Sequence, residues 1–166
     1  MKSSLSPFIQ NDENSAAYWM FDILWVIKAH AAQTNGAFSL IEQEMPFNSG
    51  PPPHCHKEMD EIFYILEGEM ILWAGGEIHK LTAGTLAMIP RETPHYFKIS
   101  STKPCRALNM YTPGGFETGI VRNAQKAGGL YLPPDGLPYL GSTDKNDMHT
   151  ALDIIPLDLI QLASEM

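Results

Sequence analysis

The fold of this chain is decided by the segment Gly50-Pro-Pro-Pro-His54-Cys-His56-Lys-Glu-Met-Asp-Glu61-Ile-Phe-Tyr-Ile-Leu-Glu-Gly68. Successive side chains of a β-strand point to opposite faces, so His54 and His56 project to one face and Cys55 to the other. The four residues between His56 and Glu61 allow the chain to reposition, so that the carboxylate returns to the same interior. The segment therefore predicts two histidines and one carboxylate on the inner side of a sheet.

A second segment adds a third imidazole: Gly84-Thr-Leu-Ala-Met-Ile-Pro90-Arg-Glu-Thr-Pro-His95. Its two prolines stiffen the turn that delivers His95. Three imidazoles and one carboxylate suit one divalent Fe, Ni, Mn, Co, Cu or Zn ion. Four protein ligands leave one or two positions open on a five- or six-coordinate ion, which is typical of reactive sites. We therefore predict a metal centre formed by His54, His56, Glu61 and His95.

Short apolar stretches separated by turn signals surround these two segments. Thr34-Asn35-Gly36, Gly75-Gly76 and Ala83-Gly84 are typical turn sequences. Many short strands at close spacing indicate an all-β sandwich or barrel. The predicted strands lie near residues 18–21, 24–29, 37–45, 53–56, 61–67, 70–74, 77–80, 86–89, 95–100 and 105–111.

The pattern changes after residue 115. Apolar residues at positions 116, 120, 121, 124 and 127 predict a helix over 116–127, which Gly128-Gly129 would end. Residues 130–150 are typical of extended loop, and a short terminal helix could begin at Pro156. We therefore expect an N-terminal arm over 1–16, a barrel over 17–115, and a C-terminal extension over 116–166. The extension, of helix and loop, would pack on the barrel and could cover one of its mouths.

The composition excludes several classes of partner. The chain has 166 residues, a net charge of −8 and only 11 Lys and Arg, which are scattered singly. These features argue against nucleic acid and against an anionic membrane surface. No apolar run approaches the roughly 18 residues of a membrane span, and the N-terminus lacks the apolar run of a secretory signal. We expect a cytoplasmic protein, with Cys55 and Cys105 as thiols.

The spacing of these residues resembles a known family. Gly50-x3-His54-x-His56-x4-Glu61-x6-Gly68 is similar to the first cupin motif, and Gly84-x5-Pro90-x4-His95 to the second. This chain departs from the pattern in the short Gly50–His54 spacing, in Glu92 for the usual Gly, and in Ile99 for a frequent Asn. None of these departures removes a ligand. The resemblance implies an all-β double-stranded β-helix, or jelly-roll barrel, with one metal ion inside it.

Further stretches resemble the bacterial quercetinase-like single-domain cupins: Ala17-Tyr18-Trp19, Gly36-Ala-Phe-Ser-Leu40, Asp60-Glu61-x-Phe-Tyr64 and Thr112-Pro-Gly-Gly-Phe116-Glu117. This resemblance implies a metal-dependent dioxygenase that acts with O2 on a flavonol or another enolisable aromatic. Glu61 would be catalytic, as metal ligand and general base. Two alternatives remain open: a non-catalytic cupin that binds or senses a small molecule, and a metal-dependent isomerase, decarboxylase or lyase.

The parity of the strands suggests a substrate pocket. Phe63 and Ile65 lie two and four residues after Glu61, and Phe97 lies two residues after His95. On a strand such residues point to the same face, so all three should face the interior. They could form an apolar wall for an apolar or aromatic substrate, or they could simply be core. The apolar stretches 18–21 and 25–27 are compatible with a homodimer contact, and equally with a strand buried inside a monomer.

Overall fold

The computed structural model describes residues 5–135 and 152–157, which form two antiparallel sheets, one α-helix and a short 3-10 helix (Ala31–Gln33). This confirms the all-β class, and each predicted strand is present with bounds that differ by at most two residues. The strands are β1 (Ala16–Met20), β2 (Ile23–Ala29), β3 (Ser39–Met45), β4 (His54–His56), β5 (Asp60–Glu67), β6 (Glu69–Ala74), β7 (Glu77–Thr82), β8 (Leu86–Ile89), β9 (His95–Ile99), β10 (Cys105–Thr112), β11 (Gln125–Lys126) and β12 (Ile154–Pro156).

The order of the strands divides the predicted ligands between the two sheets. The seven-stranded sheet has the order β11-β1-β2-β3-β10-β5-β8, and it carries Glu61 on β5. The five-stranded sheet has the order β12-β4-β9-β6-β7, and it carries the three histidines on β4 and β9. The two sheets share one hydrophobic core. The site therefore lies between the sheets.

Strict alternation along β3 and β10 decides which side chains enter the barrel. Every second residue of both strands is buried, from Ser39 to Met45 and from Cys105 to Tyr111. The alternation fills the core with apolar groups such as Ile41 and Ala107, and burial of a side chain as large as isoleucine stabilises the fold by about 1.5–3 kcal/mol. It also brings the polar side chains of Gln43 and Asn109 inside.

Strand β2 is buried along nearly its whole length, on both of its faces. Trp25 and Ile27 face the main core, whereas Leu24 and Val26 form a second apolar cluster with Ala17 and Trp19 of β1. Ala127 and Leu132, which follow the helix, pack against this second cluster. Ala127 and Leu132 of the same chain thus cover part of this apolar surface, and the homodimer contact expected there stays a prediction.

The helix, α1, spans Phe116–Asn123 and ends four residues earlier than predicted. Ala124 already has an extended backbone (φ −98°, ψ 157°), because Gln125 and Lys126 pair with Trp19 and Tyr18 at the edge of the sheet. The apolar spacing at 124 and 127 thus reflects packing beyond the helix and not a continuation of it. Among the described residues, no helix is long and apolar enough to cross a membrane.

The end of the chain also differs from the prediction. Pro156, expected in the first turn of a terminal helix, is the last residue of β12. The rest of that predicted helix, and the predicted loop over 136–150, lie outside the described residues. Strand β1 begins at Ala16, near the predicted end of the N-terminal arm, and the division of the chain into arm, barrel and extension stays a prediction.

Candidate metal centre

Three strands bring the predicted ligands together. His54 and His56 lie on β4, His95 pairs with His54 from β9, and Glu61 faces them from β5. The four side chains are buried, with at most 5% of each residue exposed. One ligand atom from each lies within 4.8 Å of the other three. The structure thus brings the side chains together as the parity of the strands predicts.

Each histidine is oriented by a backbone carbonyl. A carbonyl oxygen can only accept a hydrogen bond, so Nδ1 carries the hydrogen and Nε2 keeps a free lone pair. Support of this kind fixes the tautomer and the ring orientation of metal-binding histidines. The Nδ1–H groups donate as follows: His54 to Pro52 at 2.9 Å, His56 to Asp153 at 3.1 Å and His95 to Thr93 at 2.8 Å.

Two of these contacts come from the same local arrangement. His54 and His95 each follow a proline, and each donates to the carbonyl two residues before it, in Pro52 and Thr93. The proline in between fixes φ near −65°, which limits the conformations of the turn. The imidazole of His56 has no such neighbour, and its partner, Asp153, lies 97 residues further along the chain.

Gly50 allows the three prolines at 51–53 to lead into β4, although only these three residues separate Gly50 from His54. Its φ is +150°, and a Cβ at this position would lie 2.0 Å from the carbonyl oxygen of Phe97. Only glycine lets the loop approach β9 this closely. The first glycine of the motif is therefore required by the packing of the loop against the strand that carries His95.

Glu61 is held by two donors that sequence reasoning did not identify. Its Oε1 accepts hydrogen bonds from the Tyr111 hydroxyl at 2.7 Å and from the Asn109 amide nitrogen at 2.8 Å. Its Oε2 faces the Nε2 atoms of His95, at 2.9 Å, and His56, at 3.5 Å. One carboxylate oxygen is thus fixed by the seven-stranded sheet while the other points at the histidines.

Burial and charge set the ionisation of the cluster. Burial raises the pKa of Glu61, but His56 and His95 beside it outweigh burial and hold that pKa well below its usual value. Burial lowers the pKa of His54 to about 3, and the neighbouring His95 adds to this effect. Burial also raises the pKa of Tyr111 well above its usual value, as does the Glu61 charge. At neutral pH the site therefore presents a carboxylate, a neutral His54 and a protonated Tyr111.

The donor set fits a metal ion. With Nδ1 of His95 donating to Thr93, its Nε2 and the Glu61 Oε2 are two lone-pair atoms 2.9 Å apart, a contact that needs a cation or a proton between them. Nε2 of His56 is buried and has no hydrogen-bond partner among the described residues. Ligand atoms that share one ion at about 2.1 Å lie about 3–4.2 Å apart. This buried cluster of three histidines and one glutamate therefore fits a cupin metal site.

A cavity of about 140 Å³ opens over the cluster, and most of its wall is apolar. Phe97 lines it, as predicted from parity. Phe63 and Ile65 are fully buried core residues, and the described wall of the cavity does not include them. Phe63 lies one inward position beyond Glu61, where its ring packs edge-on against that of Phe97 at 5.4 Å between centroids. Parity predicted the correct side of the strand but not the depth in the barrel.

Several residues of the cavity escaped the sequence analysis. Asn109 and Tyr111 occupy inward positions of β10. The sequence signal that could have identified them is the presence of polar side chains at the inward-facing positions of this strand. No local pattern indicates the others, because they reach the cavity from separate parts of the chain: Gln43, Trp25, Phe116, Leu152 and Ile154.

Comparison with known proteins agrees with this geometry. Residues 41–111 match the cupin domain family. The chain is 31% identical over 96 residues to quercetin 2,3-dioxygenase of Bacillus subtilis, a match that covers 58% of this chain and 28% of that protein. It is 28% identical over 87 residues to the HTH-type transcriptional regulator PuuR of Escherichia coli, covering 52% of this chain and 47% of the regulator. The chain thus spans less than half the length of these two relatives.

Solved structures show the same fold at low sequence identity. KdgF from Halomonas sp. superimposes with a TM-score of 0.59 at 19% identity, over 68% of this chain and 98% of that one. An RmlC-like cupin from Shewanella frigidimarina gives a TM-score of 0.59 at 15% identity, over 70% of this chain and 99% of that one. The sequence match and the arrangement of the strands thus agree that residues 41–111 of this chain form a cupin domain.

Proposed function

We propose that this cupin is a metal-dependent dioxygenase of quercetinase type, which opens a flavonol or another enolisable aromatic with O2. The observation that carries the proposal is the cluster of three imidazoles and one carboxylate beside an apolar cavity. The similarity to quercetin 2,3-dioxygenase over 96 residues supports this chemistry over others that the cupin fold can host.

The proposed cofactor is one divalent ion of Fe, Ni, Mn, Co, Cu or Zn, held by His54, His56, Glu61 and His95. When bound, such an ion lowers the pKa of a hydroxyl or enol that reaches it. The three histidines would hold the ion through Nε2, since each Nδ1–H is engaged by a backbone carbonyl. Four protein ligands leave coordination positions for the substrate.

Glu61 is the proposed general base. It is ionised at neutral pH, because its neighbours hold its pKa well below the usual value. Its Oε1 is occupied by Tyr111 and Asn109, so Oε2 is the atom available to accept a proton from the substrate hydroxyl. The same two donors keep the carboxylate in place while that proton is transferred.

The walls of the cavity suit an aromatic substrate. Trp25, Phe97 and Phe116 line it, and two of its polar lining residues, Asn109 and Tyr111, donate hydrogen bonds to Glu61. An apolar cavity with few polar groups at one end binds an apolar body and fixes its polar end. It also excludes water, which strengthens electrostatic interactions in the site.

A second candidate function rests on the similarity to PuuR, which is named as a transcriptional regulator. Under this alternative the cavity binds a small apolar molecule as a sensor, with the metal as an anchor and without turnover. Metal-dependent isomerases and decarboxylases would use the same ligands, and the fold does not distinguish them.

We also propose that the protein is a homodimer. Leu86 and Met88 on the edge strand β8 are 63% and 51% exposed, and their register partners on β5 are Tyr64 and Ile62. These side chains give the outer face of the sheet an apolar surface of the kind that pairs with a second copy.

Anaerobic spectroscopy tests the proposed reaction. Protein loaded with Fe, Ni, Mn or Co is mixed with the flavonol quercetin without oxygen, and O2 is then admitted. We expect a shift of the flavonol absorption on binding, followed by its loss with consumption of O2, and neither change with His54→Ala. A shift without O2 uptake would favour the sensor. No change with any of the metals would rule out this reaction for quercetin.

A further inference from the structure

Residues 152–157, which we call the C-terminal strap, add a strand to the edge of the five-stranded sheet. Ile154 and Pro156 of the strap pair directly with His56 and His54 of β4. The Leu157 N–H donates to the Pro53 carbonyl at 3.0 Å and extends the same ladder. The strap lies outside residues 41–111, which match the cupin domain.

The strap supplies the hydrogen-bond partner of one predicted metal ligand. The Asp153 carbonyl accepts from Nδ1–H of His56 at 3.1 Å. His54 and His95 obtain the equivalent support from residues two positions before them. The orientation of His56, unlike that of the other two imidazoles, therefore depends on a segment distant in the sequence.

Asp153 is itself held in the conformation that presents this carbonyl. Its Oδ2 accepts from the Glu58 N–H at 2.6 Å, just after β4. Its φ is +52°, in the left-handed region that aspartate and asparagine tolerate and β-branched residues do not. The side chain and the backbone of Asp153 thus join the strap to both ends of the segment His56–Glu58.

The strap also forms part of the cavity wall. Leu152 is 1% exposed and belongs to the main core, and both Leu152 and Ile154 line the cavity. Ile154 is the register partner of His56, so its side chain covers the cavity beside that imidazole. Displacement of the strap would open the site to water on this side.

We propose that the C-terminal strap is a working part of the metal centre: it orients His56 for the metal and closes the cavity beside it. The inference rests on the proposed metal ligation and extends it to Asp153 and Leu152 as positioning residues. Loss of a group that orients a metal ligand typically weakens metal affinity by 10- to 100-fold. A loosened strap should therefore release metal more easily, and a pinned strap should retain it.

Two substitutions at Asp153 test the strap: one should loosen it, and the other should leave it in place. Asp153→Val removes the acceptor for Glu58 N–H and places a β-branched residue at a positive φ. Asp153→Asn keeps an acceptor oxygen and tolerates that φ, so it is the matched control. We expect the Kd for Co²⁺ to rise about tenfold or more in Asp153→Val, with a changed visible spectrum, and to stay close to wild type in Asp153→Asn.

A reversible cross-link provides the rescue. Ile155 is exposed and pairs directly with Cys55, which is a free thiol on the side of β4 away from the ligands. Paired residues in adjacent strands lie about 4.5–5.5 Å apart at Cα, within the range of a disulfide. Ile155→Cys, oxidised with diamide, should pin the strap. In combination with Asp153→Val it should restore Co²⁺ affinity when oxidised and lose it again when reduced.

The outcomes separate this inference from the proposed function. If wild type binds no metal, the proposed function fails, and the strap is still tested by imidazole NMR of the metal-free protein. There the Nδ1–H tautomer of His56 should be lost in Asp153→Val and kept in Asp153→Asn. The inference is overturned if Asp153→Val leaves Co²⁺ affinity and the His56 tautomer unchanged, or if the oxidised cross-link fails to rescue.

Discussion

Tyr111 donates its hydroxyl hydrogen to Glu61 across the β5–β10 strand pair, with 2.7 Å between the two oxygens. The two residues are direct register partners, and the Tyr111 ring stacks on Phe116 at 3.9 Å between centroids. The hydroxyl therefore cannot move away from the carboxylate without disturbing the core. This contact turns Oε2 of Glu61 toward the histidines.

Tyr111→Phe tests this relationship, because it keeps the stacked ring and removes only the hydroxyl. Glu61 Oε1 then retains Asn109 as donor, and we expect metal affinity to fall by about tenfold or more. Loss of a buried hydrogen bond to a charged group should also cost about 1.5–3 kcal/mol of unfolding free energy. Calorimetric metal titration and urea unfolding measure both. Tyr96→Phe, on the outward side of β9 where the ring stacks on Trp73, is the control and should change neither.

Phe97 and Phe63 should separate ligand binding from stability. Phe97 lines the cavity and Phe63 lies in the core against it, so both leucine substitutions disturb packing but only one alters the wall. We expect Phe97→Leu to raise the KM or Kd for an aromatic ligand. Phe63→Leu should lower the melting temperature and leave that constant nearly unchanged. Equal effects of the two on ligand binding would contradict the assignment of Phe97 to the wall.

Cys105 should be unreactive in the folded protein. Burial raises the pKa of its thiol to about 11, so about one molecule in a thousand carries the thiolate at pH 8. The fold favours the neutral thiol, so its contribution to stability falls as pH rises from about 9 toward 11. Alkylation with iodoacetamide, followed by peptide mass analysis, should modify Cys105 only after denaturation. Rapid modification of the native protein at pH 8 would contradict its burial.

The apolar outer surface of β8 tests the proposed homodimer. A glutamate at Leu86 would place an unpaired charge in the contact, so Leu86→Glu should shift a dimer toward monomer by light scattering. Ile78→Glu, at a 73% exposed position in the other sheet, is the control and should leave the dimer intact. An unchanged mass for Leu86→Glu would exclude this surface as the contact.

The short-range parts of the fold and the site could be predicted from the sequence. A period of two places His54 and His56 on one face, and a proline before His95 shapes its turn; both signals lie within a few residues of the ligand. The strand bounds followed from turn residues for the same reason. The helix end at Asn123 did not, because pairing of Gln125 and Lys126 with β1 overrode the helical spacing.

The remaining parts of the site depend on contacts between distant segments. Tyr111 reaches Glu61 only through the register of β10 against β5, which no local pattern specifies. Asp153 reaches His56 because a strand near the end of the chain joins β4. The alternation of side chains placed Phe63 on the inner face but did not show that it packs against Phe97 in the core, outside the described wall of the cavity. Register and depth are properties of the assembled sheets.

The metal content of the purified protein tests the central claim most directly. Elemental analysis, together with Co²⁺ titration of the metal-free protein, should give one divalent ion per chain. His54→Ala should lose that ion, whereas His79→Ala, at an exposed position on β7, should retain it. Metal-free wild type that also fails to take up any of the six candidate ions would contradict the account, as would full occupancy in His54→Ala.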